Sequence, residues 1–144
     1  MITAVGLVIL IVGLIAWVGQ SLSYLAPATA EKFGVLEPRE KIDPVLYIIE
    51  AKAEGLTDML LAWTLPLAAL LMLLGHPVWP YLGLIGGGVF LYVAGLITLS
   101  RFFLRREGKK IGPPSSVRAT YLFGVIWAAS AIAMIILSAT HLCQ

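Results

Sequence analysis

Charged residues and cysteines are scarce in this 144-residue chain, and each shortage excludes a class of protein. Only 12% of the residues are charged and 60% are hydrophobic, against about 25% and about 45–50% in typical soluble domains. A soluble core of this size has no room for so much apolar surface, so lipid must surround most side chains. The single cysteine, Cys143, excludes an internal disulfide and a multi-cysteine metal site. The net charge of +2 is too small to indicate a nucleic-acid partner.

Long apolar segments are what the chain has instead. Each of four segments is long enough to cross roughly 30 Å of hydrocarbon as an α-helix, and helix is expected because backbone groups in lipid must bond internally. We therefore predict an all-α, polytopic membrane protein, a single domain formed by a bundle of four transmembrane helices, with the lipid bilayer as its surroundings. The predicted helices span about residues 2–25, 44–74, 81–104 and 117–142.

The second predicted helix contains two local signals. Asp43 followed by Pro44 is typical of a helix N-cap and the first helical position. Pro66, shortly after Thr64, predicts a kink inside the membrane, with the threonine hydroxyl available to a carbonyl that the proline leaves without a donor.

The distribution of basic residues predicts the orientation. All ten Lys and Arg residues lie in or beside the first and third loops, at residues 26–43 and 105–116, and none lies in the hairpin around His76 or near either chain end. By the positive-inside rule, both basic loops are cytoplasmic and both termini are extracytoplasmic. We expect a multi-pass protein of a prokaryotic inner membrane.

Glycines are concentrated in the third helix. Gly83 and Gly87 are four residues apart and Gly95 continues the same stripe, which lets helix backbones approach closely. Two interpretations stay open at this point. The stripe forms a homo-oligomer interface, or it packs inside the four-helix bundle.

Polar residues are concentrated at the cytoplasmic ends of the second and third helices. Acidic residues recur every four positions in the second helix and form one stripe, and two arginines end the third helix. Residue counts from the hairpin place Asp58 and Arg101 at a similar depth. The candidate ligand-binding pocket comprises Gln20, Glu50, Glu54, Asp58, Arg101, Arg105 and Tyr121.

Two interpretations of this polar cluster are possible. Ionisable groups near hydrocarbon are costly unless paired, which makes them candidates for a function, and mixed charges suit the polar head of a lipophilic molecule or a proton-linked carboxylate. Alternatively, Asp58–Arg101 and Glu54–Arg105 are ion pairs that lock the second helix against the third.

A second, weaker candidate lies at the opposite end, where His76, His141 and Cys143 are expected together. Imidazole and thiolate bind zinc or copper, but these residues lack metal-ligand spacing and solvated histidines are the preferred interpretation. The chain has no phosphate-binding loop, no His-Glu-x-x-His and no Gly-x-Ser-x-Gly. We assign no catalytic residue, metal or cofactor.

The segments Tyr24–Ala28, Phe33–Val35 and Asp43-Pro44, followed by a short hairpin and a Gly-rich third helix, resemble the DoxX-like group of small four-helix bacterial membrane proteins. That group includes families of unassigned function, and some relatives are associated with membrane-bound oxidoreductases and with sulfur or quinone metabolism. The resemblance assigns no site residue.

The preferred hypothesis is a binding or accessory subunit that recognises a lipophilic small molecule of the lipid or quinone type, or a partner membrane protein. The alternative is an oligomeric transporter or channel in which Asp58 is the titrating group. A membrane enzyme ranks third.

Overall fold

The structure, a computed structural model, describes residues 2–143, and this range contains helices and loops but no β-strand. Four helices are long and apolar enough to cross a membrane, which confirms the predicted number. We call them the four spans: Thr3–Leu25, Pro44–Leu73, Trp79–Arg106 and Pro114–Leu142. The individual elements are α1 (Ile2–Leu25), α2 (Pro27–Lys32), α3 (Pro44–Ile48), a π-helical turn (Ile49–Glu54), α4 (Gly55–Leu61), α5 (Thr64–Leu73), α6 (Trp79–Arg106) and α7 (Pro114–Leu142).

The third and fourth spans are longer than predicted, mainly because two prolines begin helices instead of ending loops. Pro80 is the second residue of α6, and Pro114 is the first residue of α7. Proline is favourable there because its fixed φ suits a helix and its missing N–H has no helical partner at these positions. At its other end α6 runs to Arg106, and Gly108 follows with a φ of +70°, a conformation that closes helices.

The second span is interrupted, as Pro66 predicted. It begins at an N-cap, where the Asp43 carboxylate accepts a hydrogen bond from the Val45 backbone N–H at 2.9 Å, and it breaks between α4 and α5. Pro66 has no backbone N–H. At the break, the Thr64 hydroxyl donates to the Leu61 carbonyl at 2.7 Å, and the Trp17 indole N–H of α1 donates to the Met59 carbonyl at 3.1 Å. Side chains therefore satisfy backbone acceptors that helical N–H groups leave free.

Glycines set how closely the spans approach. The spans pack in the order α1, α5, α6, α7, and the seam between α7 and α1 is the least extensive. A Cβ on Gly13 of α1 would lie 3.0 Å from the Pro66 ring, and one on Gly86 of α6 would lie 2.6 Å from the Leu65 Cα. A Cβ on Gly87 would lie 3.1 Å from the Ala131 carbonyl oxygen of α7. Part of the glycine stripe is thus used for packing within the chain.

The two basic loops meet at one end of the spans. Ile42 of the first loop and Ile111 of the third form an isolated antiparallel β-bridge, and the Asp43 N–H donates to the Lys110 carbonyl at 2.7 Å. Ile42 and Ile111 are buried together with Leu46. At the opposite end, the rings of Trp79 and His141 lie 5.1 Å apart, so the hairpin and the end of α7 share that side.

Candidate functional site

A cavity of about 490 Å³ lies beneath the meeting point of the two basic loops. Such a volume is typical of sites for small molecules. Its walls come from α1, from the loop after α2, from the π-helical turn, and from α6 and α7. The lining residues are Ile15, Ala16, Gly19, Gln20, Ser23, Phe33, Gly34, Val35, Leu36, Glu37, Glu50, Glu54, Ile97, Arg101, Ser115, Ser116, Ala119, Thr120, Phe123 and Trp127.

A buried ion pair closes one side of this cavity. The Arg101 guanidinium lies 2.7 Å from Glu50 Oε1 through Nη1, and its Nη2 donates to Glu50 Oε2 at 3.2 Å. Its Nε also donates to the Ile111 carbonyl at 3.4 Å. The two side chains are 4% and 9% exposed, respectively. The Nη1–Oε1 contact has the distance of an ion pair without the geometry of a hydrogen bond, so Glu50 Oε1 has no hydrogen-bond partner in residues 2–143. The ion pair and the two hydrogen bonds of Arg101 tie the second span, the third span and the third loop together.

Two further carboxylates are buried beyond the ion pair. Glu54 is 5% exposed, and neither of its carboxylate oxygens has a hydrogen-bond partner anywhere in residues 2–143. Asp58 is 2% exposed, and its Oδ2 likewise lacks a partner within the described chain. Asp58 lies in a small recess that also contacts Gln20 and Trp127. Both of these residues line the cavity as well, so the recess adjoins the cavity.

The π-helical turn explains why the three carboxylates all face inward. In an α-helix of 3.6 residues per turn, residues four apart drift by about 40° around the axis. The wider π turn, with i to i+5 hydrogen bonds, rotates less per residue, so the drift between Glu50 and Glu54 runs in the opposite direction and offsets that between Glu54 and Asp58. Gly55 then lets α1 approach, since a Cβ there would lie 3.1 Å from the Tyr24 Cβ. Inserted turns of this kind are frequent at functional sites.

The structure brings together most of the residues predicted for the pocket. Gln20, Glu50, Glu54 and Arg101 line the cavity, and Asp58 lines the adjoining recess. Two predicted members lie elsewhere.

Arg105 is exposed near the end of α6 and does not line the cavity. Tyr121 packs against the buried cluster of Ile42 and Ile111. Because α7 begins at Pro114, Tyr121 lies two turns into the helix. It also points away from the face of Thr120 and Phe123, since each residue turns the helix by about 100°.

The two suggested ion pairs, Asp58–Arg101 and Glu54–Arg105, are wrong. Arg101 pairs with Glu50, two acidic positions earlier along the stripe. Counting residues from the hairpin assumes a uniform α-helical rise and rotation, whereas the break before α5 and the π turn change both.

Sequence reasoning missed the apolar walls of the cavity. Phe33, Val35 and Leu36 stand in an otherwise polar loop, and this was the available signal, since apolar loop residues often fold back on the elements they connect. Leu36 is indeed buried. On α7, Phe123 and Trp127 are four residues apart on one helix face, and their rings lie 6.3 Å apart.

At the opposite end, the histidines have local roles. His76 Nδ1 accepts a hydrogen bond from the Val78 N–H at 3.3 Å, and His141 packs against Trp79. Across residues 2–143, no group of three or more His, Cys, Asp or Glu side chains is arranged to hold a metal ion.

Comparison of the chain with protein-family models, with curated proteins and with solved structures gives no match. The site must therefore be interpreted from its own chemistry. Three carboxylates and one guanidinium face apolar and aromatic walls inside a chain whose helices suit lipid. This arrangement can hold an amphipathic molecule, with its polar head at the charged side and its apolar part along the aromatic side chains.

Proposed function

We propose that this protein binds a lipophilic molecule in the cavity and acts as a binding or accessory subunit in a prokaryotic inner membrane. In this proposal the four spans form a transmembrane bundle with both basic loops in the cytoplasm, in accordance with the positive-inside rule. The cavity then lies at the level of the inner leaflet. The resemblance to the DoxX-like group is compatible with this proposal and adds no residue to it.

The observation that carries the proposal is the continuity between the cavity and the lipid-facing surface. Ile15 of α1 and Phe123 of α7 line the cavity, yet they are 59% and 46% exposed. They belong to α1 and α7, the neighbouring spans with the least extensive contact. An apolar tail can therefore extend from the cavity into lipid between α1 and α7, while a polar head reaches Glu54 and Gln20.

The proposal is tested by identifying molecules that stay bound during purification in a mild nonionic detergent. Mass spectrometry of the extracted protein should find one chemical class at roughly one molecule per chain. Thr120→Trp places a large ring in the cavity and should remove that molecule. Thr140→Trp is the matched control, because both threonines lie on α7 and each donates its hydroxyl to the carbonyl four residues earlier.

Retention of the same molecules by wild type and both variants would identify them as surface lipid and contradict the proposal. Loss of the bound molecule from both variants would indicate that a tryptophan anywhere in α7 disturbs binding, and the result would then count against the cavity as the binding site.

Proton-coupled transport is a second candidate function, and the Asp58 recess is the observation that favours it. The recess carries an acidic group beyond the cavity, between the second span and Trp127. If Asp58 titrates during transport, Asp58→Asn should abolish proton-coupled flux in liposomes. Glu107→Gln, which changes an exposed carboxylate at the end of α6, should leave that flux unchanged. Flux that persists in Asp58→Asn would eliminate this candidate.

Assembly of several copies through α6 is part of this second candidate. Gly88 and Gly95 are one heptad apart, and a Cβ on either would meet nothing within 4 Å in the described chain. This face, unlike that of Gly83 and Gly87, is open to a second copy. Leucine at both positions should lower the mass of the protein–detergent complex, measured by light scattering, if the oligomer forms there.

A further inference from the structure

The cavity is lined by more acidic side chains than basic ones. Three carboxylates, those of Glu37, Glu50 and Glu54, line it, and Arg101 is the one basic side chain among its lining residues within the described chain. A polar head that enters the cavity therefore meets more acidic groups than basic ones.

The single guanidinium is already engaged. Arg101 forms an ion pair with Glu50, donates a hydrogen bond to its Oε2 and also donates to the Ile111 carbonyl. A phosphate or carboxylate head would have to displace Glu50 to gain this cation, and a buried charge that loses its partner costs several kcal/mol. Anionic heads are disfavoured for this reason.

The acceptors, in contrast, are free. Both carboxylate oxygens of Glu54, the Oε2 of Glu37 and the Oε1 of Glu50 are buried without a hydrogen-bond partner in residues 2–143. Leaving a buried acceptor unsatisfied is unfavourable, and for a charged group the cost is larger. A ligand that donates N–H groups and carries positive charge removes this cost. Phe33, Phe123 and Trp127 supply aromatic walls, whose ring faces attract cations.

We propose that the ligand is an amphiphilic cation whose ammonium head pairs with Glu54 and whose apolar tail passes between α1 and α7. This inference rests on the proposed function, because it names the class of molecule that the same cavity takes. Glu54 is the selecting residue, since both of its carboxylate oxygens lack a hydrogen-bond partner and it forms no ion pair within the described chain. Gln20 and Glu37 complete the polar side of the cavity.

The test compares three amphiphiles with the same twelve-carbon tail: dodecylammonium, dodecanoate and dodecanol. Binding to the purified full-length protein in a nonionic detergent is measured by isothermal titration calorimetry. Because a charge-assisted hydrogen bond contributes about 1.5–3 kcal/mol, dodecylammonium should bind about tenfold or more tightly than the other two. Glu54→Gln should weaken dodecylammonium binding by a similar factor. Glu40→Gln, the same change at an exposed position of the first loop, should leave it unchanged.

The outcomes separate this inference from the proposed function. Equal, saturable binding of all three amphiphiles that Thr120→Trp abolishes would overturn the cation preference and retain the cavity. Tighter binding of dodecanoate would overturn it as well and would identify Arg101 as the anchor. Preference for dodecanol would show that Glu54 acts as a neutral donor. Saturable binding of none would contradict the proposed function itself. If Glu54→Gln fails to fold, the wild-type preference among the three amphiphiles still decides the question.

Discussion

Replacing Arg101 with methionine tests whether the buried ion pair holds the second and third spans together. Methionine keeps much of the length and apolar bulk of arginine but removes its charge and its hydrogen bonds. At the 2.7 Å separation from Glu50, Coulomb's law with an effective dielectric constant of about 20 gives a gross attraction of about 6 kcal/mol. Removal of both ions from water offsets much of this attraction, at several kcal/mol per ion.

Arg101→Met destabilises the protein mainly because it leaves the buried Glu50 carboxylate without its partner. In Arg101→Met, the Glu50 carboxylate remains buried with Glu54 nearby and no cation beside it. Breaking a buried pair in this way destabilises proteins by about 3–5 kcal/mol. We expect a loss of that size in the free energy of unfolding. When Glu50→Gln is added, the double variant should be less destabilised than the sum of the singles by about 1–3 kcal/mol.

The assay is unfolding in mixed micelles with increasing mole fraction of dodecyl sulfate, followed by circular dichroism. Lys109→Met provides the control, because Lys109 is 54% exposed and lies 3.9 Å from Asp43. A surface pair of this kind contributes less than about 1 kcal/mol. Equal destabilisation by Arg101→Met and Lys109→Met, or strictly additive effects of Arg101→Met and Glu50→Gln, would refute the reasoning.

Three further predictions concern packing, backbone satisfaction and orientation. Gly86→Ala should destabilise the protein by about 1–3 kcal/mol, because its Cβ would meet the backbone of α5. Gly88→Ala, whose Cβ would meet nothing, should be neutral or stabilise the protein by up to about 1 kcal/mol. Equal effects of the two variants in the same unfolding assay would contradict the close packing of α6 on α5. Trp17→Phe removes the indole donor at the break in the second span and should cost about 0.5–1.5 kcal/mol, and an unchanged unfolding midpoint would show that this bond contributes nothing. A membrane-impermeant maleimide should label the exposed Cys143 in spheroplasts. The same reagent should not label Lys109→Cys in a Cys143→Ala background. The reverse labelling pattern would show that the termini are cytoplasmic and the basic loops extracytoplasmic.

The properties that depend on composition and local pattern could be predicted from the sequence. The number of spans follows from the length of apolar segments, because lipid permits only internally bonded backbone. The start of the second span follows from Asp43 and Pro44, and its interruption from Pro66, because the aspartate side chain caps the adjacent helix and proline acts on its own backbone. The acidic stripe also follows, since positions four apart share a helix face.

The ion pair and the walls of the cavity could not be predicted in this way. Which acidic residue meets Arg101 depends on the relative rotation and depth of two spans, and the π turn changes both without a clear sequence signature. The loop that carries Phe33 and Val35 packs on the second span through Leu36, which is buried with Ala30 and Ala51, and such a contact joins residues that are distant in the sequence.

The sequence by itself therefore determined that the chain has four apolar helices and that its ionisable residues are concentrated near one end, since both properties depend on the order of residues along the chain. Only the tertiary structure decided which charges neutralise each other. Several carboxylates lie near the Arg101 guanidinium. The packing of the spans pairs Arg101 with Glu50 and leaves both carboxylate oxygens of Glu54 without a hydrogen-bond partner in the described chain. The same packing leaves a cavity beside Glu54, where α1 and α7 make the least extensive contact between neighbouring spans.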